Sequence, residues 1–304
     1  MIKDAGDDPD VTHGAEIRVR VRLVPGEGVV FRRGPGVGLV TRPGLELPPG
    51  EPAINPVPRR MIREALEEAF REAGLPPFAG RAVEVIVSCP DGEGRARKTL
   101  NPRLGILGGI SILGTRGIVI PYSTSAFRAS VELAIKVALA QGHRRLCFAT
   151  GGRSEALARE HLSLPEECFV QIGEFLGFAL RRAAALGAEE AILAGFPGKV
   201  AKVAQGRRNL HARAGEVDLD FLARLAERAG LGEGAGRRIR LAHTAREVAE
   251  ILPPAKRLLF FRLLAERAAR EMERMAGGKL STFCLIFGFE GHLLGSGGSP
   301  GVGV

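Results

Sequence analysis

The segment RLCFATGGRSEALAREH, residues 145–161, does most to predict the fold of this chain. It opens with an apolar run, which ends in a threonine and two glycines, and then continues as helical sequence. A second run, EAILAGF at 190–196, is equally apolar and precedes another helical stretch. Runs of this kind are typical of parallel strands that are buried on both faces. We therefore expect a Rossmann-like, doubly wound α/β domain over residues 121–290.

The other elements of this domain follow from apolar runs and helical periodicity. Strands are predicted at 118–121, 145–150, 168–171, 190–196 and 282–287. Helices are predicted at 126–140, 154–161, 173–186, 198–205, 217–229, 243–251 and 255–275. The glycine-rich end, residues 291–304, is predicted to be a flexible tail.

Residues 1–120 show a different pattern, several short strand-like segments with one helix, which predicts a two-layer α+β part. AEIRVRVRLV at 15–24 alternates between apolar and charged residues, as a half-buried strand does. Partner strands are expected at 29–31 and 38–41, and another at 82–89, in a largely antiparallel sheet. One helix is expected from about Pro58, where proline suits the first turn, to Gly74.

Composition narrows the classes of partner. The 304-residue chain carries a net charge of +9, and most of its 43 basic residues are arginines. This surplus suggests a polyanionic partner, although arginines that fill solvated helix faces would explain it equally well. With no tryptophan and one tyrosine, a base-stacking surface for nucleic acid is not expected. No membrane-spanning run or secretory signal is recognised, so we expect a cytoplasmic protein with buried, reduced cysteines and no protein-bound metal.

Two glycine-containing segments are candidates for ligand binding. Residues 105–125 hold five glycines, which allow either close backbone approach to a ligand or tight turns; the sequence leaves both readings open. In the other segment, Thr150, Gly151, Gly152 and Ser154 lie between a predicted strand and a helix that Ser154 could cap. Cofactors bind at this place in doubly wound folds, while a purely structural turn is the alternative.

Two further segments carry charged candidates. AGFPGK at 194–199 is similar to a phosphate-binding loop, but its glycines are too close together, and Val200 replaces the required hydroxyl residue. Lys199 nevertheless follows a strand and could meet a carboxylate, or could simply be exposed. Residues 3–14 contain four aspartates and His13, a pattern that suits turns and also suits contacts with a sulfonium or with ring nitrogens.

Four strings taken together resemble one known family. They are KDAGDDPDVTHGAEI at 3–17, GEPAINPVPR at 50–59, NPRLGILGGISILGTRGIVIP at 101–121, and FATGGRSE at 148–155 with GEFLGFAL at 173–180. In this order they resemble the cobalt-precorrin-5B C1-methyltransferases, the CbiD family. The resemblance implies transfer of a methyl group from S-adenosylmethionine to C1 of cobalt-precorrin-5B, giving cobalt-precorrin-6A in anaerobic cobalamin biosynthesis.

The resemblance also implies two partners, and this chain differs from the family in one segment. The partner is an acidic tetrapyrrole that carries its own cobalt, and S-adenosylmethionine is the co-substrate. Homo-oligomer formation is compatible with the sequence, which does not determine it. Family members usually have a segment rich in Thr-Gly-Thr-Cys-Ala before the first string, and this chain is expected to lack it. Loss of a strand-and-helix unit would expose a sheet edge and an apolar face.

For the reaction that the resemblance implies, we assign residue roles as hypotheses. Asp7, Asp8 and His13 are expected to face the macrocycle and to assist proton loss or stabilise charge on it. The Thr150–Ser154 loop is expected to hold S-adenosylmethionine. Substrate carboxylates are expected to meet four basic residues: Arg59, Arg60, Arg116 and Lys199. A basic nucleic-acid-binding protein and a non-catalytic corrinoid-binding protein are the two rival interpretations.

Overall fold

The structure is a computed structural model that describes residues 1–114, 117–211 and 216–298. The chain divides into two compact units, Met1–Ala126 (unit 1) and Phe127–Val304 (unit 2). The boundary predicted after residue 120 lies a few residues before this division. Both units combine helices with sheets, so the protein is of the mixed α/β class.

Unit 1 is built around a mixed three-stranded sheet. Its strands are β1 (Arg18–Val24), β5 (Ala82–Ser88) and β2 (Gly28–Arg33), in that spatial order. β1 runs antiparallel to β5, whereas β2 runs parallel to it. Helix α1 (Pro56–Glu72) supplies apolar side chains to the same core as the central strand. That core comprises Val83, Val85 and Val87 of the central strand with Phe31, Ile62, Leu66 and Phe70.

A second part of unit 1 is held together by close backbone contacts. It contains the short elements β3 (Gly36–Val37), β4 (Leu39–Val40), α2 (Gly92–Ala96), β6 (Ile106–Leu107) and β7 (Gly109–Ile110). β3 pairs with β7, and β4 pairs with β6. A Cβ on Gly36 would lie 1.7 Å from the carbonyl oxygen of Cys89, and one on Gly109 would lie 2.2 Å from that of Gly36. Only glycine fits at these crossings.

Three predictions for unit 1 are wrong. β1 is exposed rather than half-buried, because the apolar side chains of α1 pack with β2 and β5 and not with β1; Val19, for example, is 55% exposed. β2 and β5 are parallel rather than antiparallel. No strand forms at 118–121, where Ile118 is 72% exposed; Gly117 and Pro121 flank this short run, and proline lacks the N–H that strand pairing needs.

Unit 2 contains a five-stranded sheet. The strands are β8 (Arg145–Ala149), β9 (Phe169–Gln171), β10 (Glu190–Gly195), β11 (Ser281–Phe287) and β12 (Leu293–Gly298). Their spatial order is β9-β8-β10-β11-β12, with the first four parallel and β12 antiparallel. The direction of strand progression therefore reverses between β8 and β10.

Helices connect these strands and bury the sheet. They are α3 (Thr124–Ala140), α4 (Gly152–His161), α5 (Leu176–Leu186), α6 (Pro197–Ala204), α7 (Leu219–Arg228), α8 (Glu233–Arg240), α9 (Glu247–Ile251) and α10 (Pro254–Met275). Cys147 and Ile192 pack in one cluster with Ala158 of α4. Their strand neighbours Phe148 and Leu193 point to the opposite face and are also fully buried, so both faces are covered.

The C-terminal end differs from the expectation. Residues 293–298 form β12 rather than part of a flexible tail, and residues 299–304 lie outside the described part of the chain. A Cβ on Gly295 would come within 2.7 Å of the backbone of Phe261 in α10. These glycines therefore permit close packing of a strand on a helix. Helix α8 was not predicted, and α9 begins four residues later than expected.

Burial of the cysteines was expected from the sequence. All four cysteines are buried and free, which confirms the prediction of reduced, buried thiols. Burial raises the pKa of the Cys89 and Cys168 thiols to about 11, so they are poor nucleophiles near neutral pH.

Within residues 1–114, 117–211 and 216–298, no helix is both long and apolar enough to cross a bilayer.

Candidate functional site

The loop after β8 joins a buried strand directly to a helix that no side chain caps. Gly151 is the N-cap residue of α4, and no side chain accepts a hydrogen bond from its first amides. The expectation that Ser154 caps this helix is wrong. Its hydroxyl donates to the Gly151 carbonyl oxygen at 2.9 Å and lies 3.3 Å from the hydroxyl of Thr150. Thr150 and Ser154 thus shape the loop, and the first amides of α4 stay available.

Open space lies beside the glycines of this loop. A Cβ built on Gly151 would meet no atom within 4 Å, and the same holds for Gly198 at the start of α6. On Gly152 it would meet only the side-chain nitrogen of Gln171, at 3.7 Å. Packing within unit 2 therefore does not require glycine at these positions, unlike at the backbone crossings of unit 1.

Lys199 ties together the loops that follow β8 and β9. Its Nζ donates to the carbonyl oxygen of Thr150 at 2.8 Å and to that of Gly173 at 3.4 Å. Burial lowers the pKa of Lys199, while the nearby Glu174 carboxylate opposes that shift. The alternative of simple solvent exposure is wrong, since Lys199 holds the loop backbone of its own sheet edge.

Glu174 and His211 were not identified as site residues from the sequence, in which His211 belongs to a polar cluster that indicated only a loop. Glu174 lies in the loop between β9 and α5, and its Oε2 is 3.7 Å from Nε2 of His211. The Glu174 carbonyl accepts from the amide of Leu210, and Lys202 Nζ donates to the His211 carbonyl. The available sequence signal was an acid that closely follows a strand, inside the GEFLGFAL string.

Arginine side chains lie over phenylalanine rings at the same edge. Phe196 and Phe289 stack with their ring centroids 4.8 Å apart. The guanidinium of Arg153 lies 5.7 Å from the Phe196 centroid, and that of Arg246 lies 4.7 Å from the Phe289 centroid. The rings and cations extend the site beyond the glycine loop that the sequence identified.

The acidic segment of unit 1 forms a compact turn. Lys3 Nζ lies 2.5 Å from both Asp10 Oδ2 and Thr12 Oγ1. Burial alone would raise the pKa of Asp10, but hydrogen bonds from Lys3 and Thr12 outweigh it and hold the pKa below its usual value. The amide of Ala5 donates to Nδ1 of His13, which leaves Nε2 as the proton-bearing nitrogen of the neutral ring.

Two predicted catalytic carboxylates differ in their contacts. Asp8 Oδ1 accepts from the amide of Tyr122 at 2.9 Å, and Tyr122 has a backbone φ of +53°, which is unusual for an aromatic residue. Asp8 therefore helps to hold a turn. Asp7 is exposed, and within the described part of the chain its carboxylate has no hydrogen-bond partner.

The predicted substrate arginines of unit 1 are less well placed. Arg59 Nη2 lies 2.8 Å from Glu51 Oε2, and its Nε donates to the Ile54 carbonyl at 2.7 Å, so its donors serve the loop before α1. Arg60 is exposed on α1, 3.7 Å from Glu64. Arg116 lies outside the described residues.

Other concave or polar features do not coincide with these residues. Over the described ranges, no group of three or more His, Cys, Asp or Glu side chains is arranged to hold a metal ion. A groove of about 310 Å³ lies between α10 and β12. It is lined by Leu258, Leu259, Arg262 and Ser296, among others, and by none of the predicted site residues.

Comparison with known proteins shows which family this chain is similar to. The family model named CbiD matches residues 1–121, and the model of the CbiD C-terminal domain matches residues 209–298. A solved cobalamin biosynthesis protein (cbiD) from Archaeoglobus fulgidus shares 30% identity, with 62% of this chain and 56% of that chain covered and a TM-score of 0.29.

Curated relatives match over nearly the whole chain. The cobalt-precorrin-5B C(1)-methyltransferase of Geobacillus kaustophilus is 48% identical over 296 residues, which cover 97% of this chain and 78% of that protein. The protein of the same name from Rubrobacter xylanophilus is 46% identical, covering 99% of this chain and 76% of the relative. Identity at this level over this length demonstrates common descent, and the chain belongs to the CbiD family.

Proposed function

We propose that this protein is an S-adenosylmethionine-dependent methyltransferase that acts on C1 of cobalt-precorrin-5B in cobalamin biosynthesis. The observation that carries the proposal is the 48% identity, over 97% of the chain, to a relative with the name cobalt-precorrin-5B C(1)-methyltransferase. Relatives from several other organisms carry the same name.

The sheet of unit 2 supports a Rossmann-like binding edge. In doubly wound sheets, ligands bind beyond the carboxyl ends of the strands, where the strand order reverses. Here that place lies between β8 and β10, and the loop Thr150–Ser154 follows β8. Gly151, Gly152 and the first amides of α4 are the groups that would hold S-adenosylmethionine, with Thr150 and Ser154 shaping the loop.

The donor set fits this co-substrate. The open amides at a helix N-terminus suit its carboxylate, because backbone N–H groups and the helix dipole both favour negative charge. The Glu174 carboxylate would pair with the positively charged part of S-adenosylmethionine. It lies next to Gly173, whose carbonyl oxygen accepts a hydrogen bond from Lys199. When bound, S-adenosylmethionine supplies the methyl group. The residues around it provide orientation, which can lower a barrier by about 7–11 kcal/mol.

The acidic segment of unit 1 is proposed to serve the tetrapyrrole. Asp7 is the residue best suited to accept a proton or to stabilise positive charge, since its carboxylate is open. Asp8 and His13 hold the turn through their bonds to Tyr122 and Ala5. Arg60, Arg116 and Lys199 stay proposals for substrate carboxylates. We assign Arg59 a weaker part because its donors are engaged within its own loop.

A methyl-transfer assay tests the proposal. The purified chain is incubated with cobalt-precorrin-5B and S-adenosylmethionine labelled in the methyl group, and label in the tetrapyrrole is measured. We expect transfer to C1, and a fall of about a hundredfold or more for Asp7→Asn, a size typical of lost acid–base assistance. Asp4→Asn is the matched control in the same turn. Absence of transfer by the wild-type chain, with both substrates bound, would contradict the proposed activity.

A further inference from the structure

Four described arginines of unit 2 hold their guanidinium groups against phenylalanine rings. One of them, Arg159 over Phe169, is paired with Glu166 at 2.7 Å, which leaves three to consider. Arg128 lies 4.9 Å from the centroid of Phe175, and Arg153 and Arg246 lie over Phe196 and Phe289 as described. A ring face supports the planar cation without occupying its in-plane N–H groups. One of these groups is engaged in Arg153, whose Nη2 donates to the carbonyl oxygen of Phe289. Such an arginine loses less side-chain freedom when it binds a carboxylate than a fully mobile one does.

All three arginines lie at one edge of the sheet. The rings beneath them belong to the segments that follow three different parallel strands: Phe175 follows β9, Phe196 follows β10 and Phe289 follows β11. Carboxyl ends of parallel strands share an edge, so these rings lie at the same edge as the glycine loop that follows β8. This is the edge where ligands of doubly wound sheets bind.

The charges of these arginines are poorly neutralised by the protein. Within the part of the chain that the structure describes, no carboxylate lies within 4 Å of the guanidinium of Arg128 or Arg153. Arg246 has one exposed partner, Glu250, at 3.5 Å. Elsewhere in unit 2, arginines form closer pairs, such as Arg240 with Glu227 at 2.7 Å. Positive charge thus accumulates at the proposed active edge.

We propose that Arg128, Arg153 and Arg246, here called the arginine rim, bind the acetate and propionate carboxylates of the tetrapyrrole. The inference rests on the proposed function and adds the residues that recognise the substrate. Planar guanidinium groups pair with carboxylates through two parallel hydrogen bonds, so several of them can orient a ring that carries many such groups. Their backing by Phe175, Phe196 and Phe289 fixes the positions from which they do so.

Binding of uroporphyrin, a tetrapyrrole with acetate and propionate groups on every ring, tests the rim. We expect each of Arg128→Gln, Arg153→Gln and Arg246→Gln to raise the dissociation constant about threefold to fivefold, which is the upper part of the range for a solvent-exposed ion pair. The triple variant should weaken binding at least about thirtyfold. Arg270→Gln is the matched control: Arg270 is exposed on α10 and lies toward the opposite edge of the sheet.

Two further measurements make the outcome decisive. S-adenosylhomocysteine should bind the Arg128→Gln, Arg246→Gln double variant as it binds the wild type, because neither residue belongs to the Thr150–Ser154 loop. Thermal unfolding checks that the triple variant is folded. A triple Arg→Lys variant should recover part of the uroporphyrin affinity, because it keeps the charge without the planar group. Unchanged uroporphyrin affinity in the triple Gln variant would contradict the proposal that the arginine rim binds carboxylates. So would a loss confined to S-adenosylhomocysteine, which would assign these arginines to the co-substrate.

The proposed function can fail separately from the rim. A wild-type chain that binds no S-adenosylhomocysteine would contradict methyl transfer, whereas the uroporphyrin series would still decide whether the arginines bind carboxylates. Conversely, methyl transfer that persists at full rate and with an unchanged KM for cobalt-precorrin-5B in the triple Gln variant would remove the rim and leave the activity intact.

Discussion

Two pairs of glycines, one pair in each unit of this protein, serve opposite purposes. In unit 1, Gly36 and Gly109 lie at backbone crossings where a Cβ would come within 1.7 and 2.2 Å of carbonyl oxygens. In unit 2, Gly151 and Gly198 face open space, with no atom within 4 Å of an added Cβ. The first pair is required by packing and the second is not.

The difference separates structure from function at positions that look alike in sequence. Where glycine is needed for packing, the fold itself explains it. Where packing leaves room, the fold does not explain the glycine; at Gly151, which follows a parallel strand at the edge where ligands of doubly wound sheets bind, this is the physical basis of the proposed co-substrate loop. Each of the following changes tests one side of that contrast.

The largest effect is expected for Gly109→Ala. Its methyl group would overlap the backbone of Gly36 and Val37 in unit 1, so neighbouring strands must separate. We expect the free energy of unfolding to fall by about 3 kcal/mol, the upper range of overpacking, as measured by urea denaturation. Gly94→Ala is the control, because its Cβ would meet nothing within 4 Å. Equal stability of the two variants would show that unit 1 does not need glycine at the crossing.

Lys199→Met tests what holds the open loop of unit 2. The change removes the hydrogen bonds to the Thr150 and Gly173 carbonyls. We expect a loss of about 1–2 kcal/mol in stability together with weaker S-adenosylhomocysteine binding. Lys256→Met removes a similar bond to the Leu231 carbonyl, and should lower stability without affecting that binding. If both variants bind S-adenosylhomocysteine equally well, Lys199 does not contribute to the co-substrate site.

Asp10→Asn tests whether the acidic turn of unit 1 is structural. Lys3 and Thr12 hold the pKa of Asp10 below its usual value in the folded state, so its stabilisation is present above the unfolded-state pKa of about 4. It is lost as pH falls through the lower folded-state pKa. We expect a loss of about 1 kcal/mol at pH 7 that shrinks toward pH 2, measured by thermal unfolding.

Asp7→Asn serves as the comparison for that series. The Asp7 carboxylate makes no hydrogen bond within the described residues, so the change should leave stability within about 0.5 kcal/mol at every pH. A pH-dependent loss as large as that of Asp10→Asn would mean that Asp7 is part of the turn rather than available to the substrate.

The smallest effect on stability is expected for Gly151→Ala. Its φ of 166° is extended backbone that any residue adopts, and its Cβ would lie in open space. The free energy of unfolding should change by less than about 0.5 kcal/mol. Calorimetric titration should show S-adenosylhomocysteine binding weakened by about tenfold, because the methyl group occupies the proposed co-substrate space. Normal binding with normal stability would leave this glycine without a role.

Much of unit 2 could be predicted from sequence. Buried strands such as 190–196 are continuous apolar runs, and long helices such as α10 carry a strong periodic pattern. Unit 1 was harder because its strands are short and their pairing is set by distant partners. The alternation in β1 correctly indicated a strand, but not its exposure at an edge, since neighbours decide which faces are covered.

The same limit applied to the candidate site. The strand–glycine–helix pattern identified the Thr150–Ser154 loop, but the hydrogen bond that turns Ser154 inward depends on three-dimensional geometry. Arg128, Arg153 and Arg246 were missed because their shared feature is a phenylalanine ring from a different part of the chain. Glycines 295, 297 and 298 suggested a flexible tail, although they allow β12 to pack closely on its neighbours.

The sequence by itself determined the family, the basic charge and the buried strands and helices of unit 2, because these depend on residue identity and local periodicity. The tertiary structure decided which glycines are packed and which face open space. It also decided which acids are engaged in hydrogen bonds and which arginines gather at one sheet edge. Those properties depend on distances between residues far apart in the chain, and such distances are set only when the elements pack together.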